Sequence, residues 1–110
     1  MATKKAIWIS CDLGLKGDYT GLYTLLDTLQ AKECGDSIAF YQKEYKGDLK
    51  QAIKEELEKN VKLNKSDRIY ITYLDDETGK IKGSFIFGGR KRAPWEGYSV
   101  GAQNVEEDSI

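Results

Sequence analysis

Asp12 is the first residue whose type and position suit chemistry, because it follows an apolar run and precedes a loop that contains two glycines. A carboxylate at the carboxyl end of a strand is well placed to meet a divalent metal ion, which prefers oxygen ligands. The alternative is structural, since aspartate commonly caps a turn by accepting from backbone N–H groups two residues on. One carboxylate makes a poor magnesium site, whereas two copies across a dimer axis would make a better one.

The composition narrows the chemistry further, since the 110-residue chain contains no histidine and two cysteines. Without imidazole, neither Ser-His-Asp nor Cys-His activation of a nucleophile is available. Cys11 and Cys34 lack CxxC spacing, which argues against a zinc site and against a disulfide framework. Catalysis would therefore need carboxylates, tyrosine, lysine or a metal ion held by oxygen atoms.

A cationic segment late in the chain is the second candidate, because it contains no acidic residue between its ends and runs into Trp95. Basic side chains beside an aromatic ring can bind phosphates and stack on bases. The nucleic-acid-binding residues predicted on this basis are Lys80, Lys82, Arg90, Lys91 and Arg92. The alternative is that the lysines oppose edge-strand aggregation and the arginines solvate a strand end. With a net charge of −1, binding would depend on a local patch.

Hydrophobic periodicity predicts the elements that position these residues. Alternation predicts a very short strand over 32–34 and longer strands over 6–11, 37–44, 68–74 and 81–87. Apolar residues spaced by three and four predict two helices, one capped by Asp18 and one by Asp48. Gln51, three residues after Asp48, completes a capping-box signature.

The order βαββαβ followed by a hairpin strand predicts an α+β fold, a ferredoxin-like two-layer sandwich with an additional C-terminal strand. We expect one domain over residues 1–92 and an irregular tail over 93–110. Two amphipathic helices cover one face of the sheet, so Trp8 and other aromatic residues on the second face would be exposed to water. We therefore expect a homodimer, formed sheet against sheet or by pairing of the last strand with a neighbour.

The apolar runs are a handful of residues long, far short of the ~20 that span a bilayer. The N-terminal residues enter a predicted strand directly and show no secretory hydrophobic region. These patterns predict a cytoplasmic protein without a membrane partner.

The order and spacing of several segments resemble two families of small nucleases. The first strand ends in aspartate, in Ile7-Trp8-Ile9-Ser10-Cys11-Asp12, and an amphipathic helix follows. Next come the strand start Ser37-Ile38-Ala39-Phe40, a helix that begins Asp48-Leu49, and the strand Asp67-Arg68-Ile69-Tyr70-Ile71. Over about residues 5–75, this arrangement is similar to the small CRISPR-associated endonuclease that partners the integrase in spacer acquisition. It also resembles the virulence-associated protein D ribonucleases.

The resemblance implies a ferredoxin-like dimer in which the aspartate at the end of the first strand holds a divalent metal ion, such as Mg²⁺, near the dimer axis. By position, this catalytic and metal-binding role falls on Asp12. These families commonly place arginines soon after that aspartate, whereas residues 13–22 contain Lys16 as their one cationic residue.

Two functions follow from the sequence. The first is a nucleic-acid-associated protein of the CRISPR-associated or toxin type, engaging RNA or DNA and cutting it as a metal-dependent endonuclease. The alternative is a non-catalytic protein-interaction or regulatory module with an unknown ligand, because ferredoxin-like domains serve many unrelated functions.

Overall fold

The computed structural model describes residues 3–99, and the part of the predicted tail over 100–110 lies outside them. Within the described residues the helices are α1 (Tyr19–Thr28) and α2 (Leu49–Asn60). The strands are β1 (Thr3–Asp12), β2 (Lys32–Glu33), β3 (Ile38–Tyr45), β4 (Arg68–Asp75) and β5 (Lys80–Phe87). No helix in this range is long and apolar enough to cross a membrane.

The strands form one antiparallel sheet in the spatial order β2-β3-β1-β4-β5, with β1 at its centre. The first four strands have the order of a ferredoxin-like sandwich, and β5 extends it through a hairpin with β4. This confirms the predicted α+β class with its additional strand. Residues 94–97 form turns; nearby, the backbone N–H of Glu96 donates to Ala93 and that of Tyr98 donates to Trp95.

The largest difference from the predicted boundaries is at β1, which begins at Thr3 rather than at Ala6. The added residues are polar and carry no apolar alternation, so periodicity alone could not include them. They pair with the end of β3, where Thr3 lies opposite Tyr45 and Lys4 lies opposite Glu44. A cross-strand ion pair of 3.7 Å joins Lys4 Nζ to Glu44 Oε1.

The core lies between the helices and one face of the sheet. The fully buried aliphatic side chains are Ile7, Ile9, Ile69 and Ile71 from the sheet and Leu22, Ile53 and Leu57 from the helices. Central strands therefore contribute alternate residues to the core and leave their other residues on the opposite face. We call that opposite face the open face.

A β-bulge interrupts the pairing of β4 with β5. Ile69 lies opposite Phe87, but the next residue, Tyr70, lies opposite Phe85, so Ile86 is the extra residue. The bulge changes the phase of β5. As a result, Phe85 lies on the open face with Tyr70, whereas Ile86 and Phe87 pack against the core.

The predicted caps are both present. Asp48 accepts from the backbone N–H groups of Lys50 at 3.0 Å and Gln51 at 3.4 Å. The side chain of Gln51 donates to Glu55 rather than back to the cap residue, so half of the capping box forms.

Asp18 caps α1 and also joins it to α2. Its Oδ1 accepts from Gly21 N and its Oδ2 accepts from Lys62 N, each at 2.9 Å. Gly21 permits this approach, because a Cβ there would lie 2.8 Å from the carbonyl oxygen of Asn60. The start of α1 is therefore fixed against the end of α2.

The stability of this junction should depend on pH. Backbone hydrogen bonds from Lys62 and Gly21 lower the pKa of Asp18 in the folded state. The charged carboxylate therefore stabilises the folded state above the unfolded pKa of about 4. This stabilisation is lost as the pH falls through the pKa of the folded state. We expect Asp18→Asn to lower the free energy of unfolding at neutral pH, and the difference from the parent chain to shrink between about pH 4 and pH 2. Urea unfolding of both proteins across this range measures it. A difference that is equal at both ends of the range would contradict the prediction.

Candidate functional site

The open face carries two pairs of aromatic side chains. Directly opposed residues of antiparallel strands share a face, and the register places Trp8 opposite Phe40 and Tyr70 opposite Phe85. Trp8 is 42% exposed, and the other three rings are half-buried. We call these four residues the aromatic face. The predicted exposure of Trp8 is confirmed.

The two pairs are close enough to form one surface. The ring centroids are 4.9 Å apart for Trp8 and Phe40, and 4.8 Å apart for Tyr70 and Phe85. Trp8 lies opposite Thr72, two residues from Tyr70 along β4, and such diagonal neighbours are ~7–8 Å apart. The aromatic face therefore crosses the sheet from β3 to β5.

Gly83 determines how Tyr70 lies on this surface. A Cβ added at Gly83 would overlap the ring and the hydroxyl of Tyr70. The tyrosine ring therefore lies over the backbone of β5, in space that any other residue at position 83 would fill. Glycine within a strand commonly marks a close approach of this kind.

Asp12 lies at one end of the open face and is held by Arg68 from β4. The guanidinium Nε and Nη2 of Arg68 donate to Asp12 Oδ2 at 3.1 Å and 2.6 Å. Both bonds use the same oxygen, and Oδ1 accepts no hydrogen bond from residues 3–99. The carboxylate is oriented by the guanidinium and retains one oxygen for a ligand.

A shallow cleft of about 330 Å³ brings Asp12 together with Arg90, which are predicted site residues from opposite ends of the chain. We call it the Asp12 cleft. It is lined by Ser10, Asp12, Arg68, Tyr70, Phe85 and Arg90. The guanidinium carbon of Arg90 lies 5.7 Å from the centroid of the Phe85 ring, a cation–π distance. The cleft thus combines aromatic rings, two guanidinium groups and one carboxylate.

The other predicted cationic residues lie apart from this cleft. Lys80 and Lys82 are at the far end of β5, which its eight residues make ~25 Å long. A hydrogen bond from Lys82 Nζ to Asp75 Oδ2, 2.8 Å long, raises the pKa of Lys82. Arg92 forms an ion pair of 2.9 Å with Glu96, and Lys91 is exposed. The cationic segment is therefore not one continuous patch.

The donor atoms around Asp12 in a single chain do not fit Mg²⁺. The ion takes close to octahedral oxygen coordination, whereas Asp12 already accepts two hydrogen bonds from a cation. Across the described part of the chain, no three His, Cys, Asp or Glu residues are grouped so as to hold a metal ion. Magnesium binding at Asp12 would need ligands from a second copy of the chain.

A larger cleft, of about 450 Å³, lies beneath α1 and is less suited to a polyanion. Its charged lining residues are Asp12, Asp27, Lys32, Glu33 and Asp36, so carboxylates outnumber cations. Cys11 also lines it, but burial raises the pKa of this thiol to about 12. A thiol that is protonated at neutral pH is a weak nucleophile.

Comparisons with protein-family models, with curated proteins and with solved structures found no match to this chain.

Four residues of the site were not identified from the sequence as ligand-binding candidates. They are Phe40, Arg68, Tyr70 and Phe85. Each shares the open face with Trp8 or Asp12. Alternation within each strand was the available signal. It does not give the register between strands, which is needed to place these residues on the same face.

Proposed function

We propose that the aromatic face binds single-stranded nucleic acid, with bases stacked on its rings and phosphates bound by Arg90 at its polar end. The observation that carries this proposal is a half-exposed surface of four aromatic rings that ends at Arg68 and Arg90. Stacking on aromatic side chains contributes about 1–3 kcal/mol per base and accepts any base. Four-stranded sheets in RNA-binding modules present aromatic residues to single strands in this way.

The shape of the surface favours a single strand over a duplex. An antiparallel sheet face is too broad for a groove, and stacking on protein rings requires bases that are already unpaired. The chain has a net charge of −1, so non-specific attraction to a duplex would be weak. Most of the binding free energy is expected from stacking.

Salt dependence tests the proposal. Arg68 is already paired with Asp12, so one arginine–phosphate contact, made by Arg90, is expected. On a single strand it predicts a slope of about −0.7 for log K against log salt concentration. Arg90→Gln should reduce the magnitude of this slope by about 0.7. Arg92→Gln is the matched control, because Arg92 already forms an ion pair with Glu96 and lies outside the Asp12 cleft.

The measurement is fluorescence anisotropy of labelled RNA and DNA oligonucleotides from about 50 to 200 mM salt. Lack of binding to either oligonucleotide at the lowest salt would contradict the proposal. So would an equal slope for Arg90→Gln and the parent chain.

The second candidate function is a protein-interaction module in which a second copy of the chain covers the open face. Exposed aliphatic side chains favour it, since Ile38, Leu74 and Ile81 on this face are 41%, 44% and 66% exposed. A sheet-to-sheet dimer would bury the rings on which bases would stack, so the two functions compete for one surface. Sedimentation with and without an oligonucleotide separates them, because RNA binding should dissociate such a dimer. A dimer is also the state that magnesium-dependent cleavage at Asp12 would require.

A further inference from the structure

We propose that the Asp12 cleft selects guanine. This inference rests on the proposed binding of single strands and names the base that occupies one position of that site. Tyr70 and Phe85 supply the rings against which the base packs, and Asp12 contacts its Watson–Crick edge. The other bases of the strand stack without selection on Trp8 and Phe40.

The cleft has the form of a base pocket. Tyr70 and Phe85 meet at an interplanar angle of 76°, so one ring offers its face where the other offers its edge. Ser10 lies beside them on β1, opposite Tyr70. The volume of about 330 Å³ is at the small end of the range for ligand pockets and admits a single base.

The selectivity comes from the hydrogen-bonding capacity of Asp12. An ionised carboxylate accepts hydrogen bonds and donates none, and each of its oxygens has about two lone-pair sites. Arg68 uses both sites of Oδ2 through its Nε and Nη2. Oδ1 therefore retains two acceptor sites.

Guanine matches these acceptor sites better than the other bases. Its Watson–Crick edge carries two adjacent donors, N1–H and N2–H, which can share one carboxylate oxygen. Adenine and cytosine place a ring-nitrogen acceptor beside their amino group, so a carboxylate there is repelled. Uracil has one N–H donor flanked by two carbonyl acceptors. Guanine alone presents two donors with no acceptor between them.

Arg68 is a positioning residue in this scheme, because it acts through Asp12. The backbone of Gly88 lies close to the aliphatic stem of Arg68, since a Cβ at Gly88 would lie 2.7 Å from Arg68 Cγ. Gly88 has a φ of 73°, a conformation that glycine adopts without strain. The end of β5 therefore supports the guanidinium that orients the carboxylate.

The experiment uses nine-residue oligouridine strands that differ in one central base, in buffer with EDTA so that no metal ion bridges the base to Asp12. We expect guanine to bind about 5- to 100-fold more tightly than adenine, the range of a good two-bond contact to a base. Inosine, which keeps N1–H and lacks the N2 amino group, should be intermediate. This comparison needs no variant and is independent of any effect on folding.

Asp12→Asn should reduce the guanine preference to less than about twofold. Asp27→Asn, an exposed carboxylate on α1, is the matched control and should keep the preference. Binding without a guanine preference would overturn this inference and leave the proposed function intact. A preference that survives Asp12→Asn would overturn it as well. Lack of binding to every strand would overturn both.

Discussion

Replacing Trp8 and Tyr70 together with alanine is expected to weaken single-strand binding by about thirtyfold or more. Each ring provides one stacking position, and stacking contributes about 1–3 kcal/mol per base. Two positions therefore lose at least about 2 kcal/mol, and 1.4 kcal/mol corresponds to a tenfold change in affinity. Both side chains project from the open face, away from the isoleucines of the core, so the fold should be retained.

Two matched variants separate stacking from a general loss of apolar surface. Tyr23→Ala removes a ring that is 60% exposed on α1, and it should leave the affinity unchanged. The pair Trp8→Phe and Tyr70→Phe keeps a ring at each position and should recover most of the affinity. The measurement is an anisotropy titration at one salt concentration, with the fold checked by circular dichroism. A double alanine variant that binds within about twofold of the parent chain would exclude the aromatic face as the binding surface.

Asp67→Ala is expected to cause a large loss of stability. Asp67 is 1% exposed, and its carboxylate accepts from Gly14 N at 3.2 Å and from Asn64 N at 2.8 Å. Alanine would leave both N–H groups without these partners in a partly buried loop junction. An unsatisfied group of this kind costs about 1–3 kcal/mol, so the free energy of unfolding should fall by about 2 kcal/mol or more.

Urea unfolding measures this change, and Asp36→Ala is the control, since Asp36 is exposed and lies in the turn between β2 and β3. Asp67→Asn retains one acceptor and should be intermediate. An unchanged unfolding midpoint for Asp67→Ala would show that water replaces the carboxylate at both N–H groups. Gly14 is two residues beyond Asp12, so Asp67 also supports the loop that follows the candidate site.

The elements of this fold were predictable from the sequence because their signals are local. The buried side of β1, at Ile7 and Ile9, alternates with Trp8, and the N-caps Asp18 and Asp48 mark where the helices begin. These patterns depend on neighbours within a few residues, so a single sequence contains them.

The candidate site was predictable only in part because it depends on register. Asp12 and Arg90 were each identified, but their proximity requires Asp12 opposite Arg68 and Tyr70 opposite Phe85. The ion-pair partners of Lys82 and Arg92 could not be predicted from the composition of the cationic segment, because both partners lie outside it. Asp75 lies near Lys82 across the hairpin, and Glu96 follows Arg92 by four residues. Strict alternation would have placed Phe85 and Phe87 on one face, and the bulge separates them.

The bulge in β5 affects how the sequence of the open face can change during evolution. Without the bulge, positions 85 and 87 would lie on the same face of the sheet, and position 86 would lie on the opposite face. With it, position 85 contributes to the outer surface, whereas Ile86 and Phe87 contribute to the interior. Substitutions at 85 are therefore free to alter what the surface recognises, while selection on folding acts separately on its two neighbours.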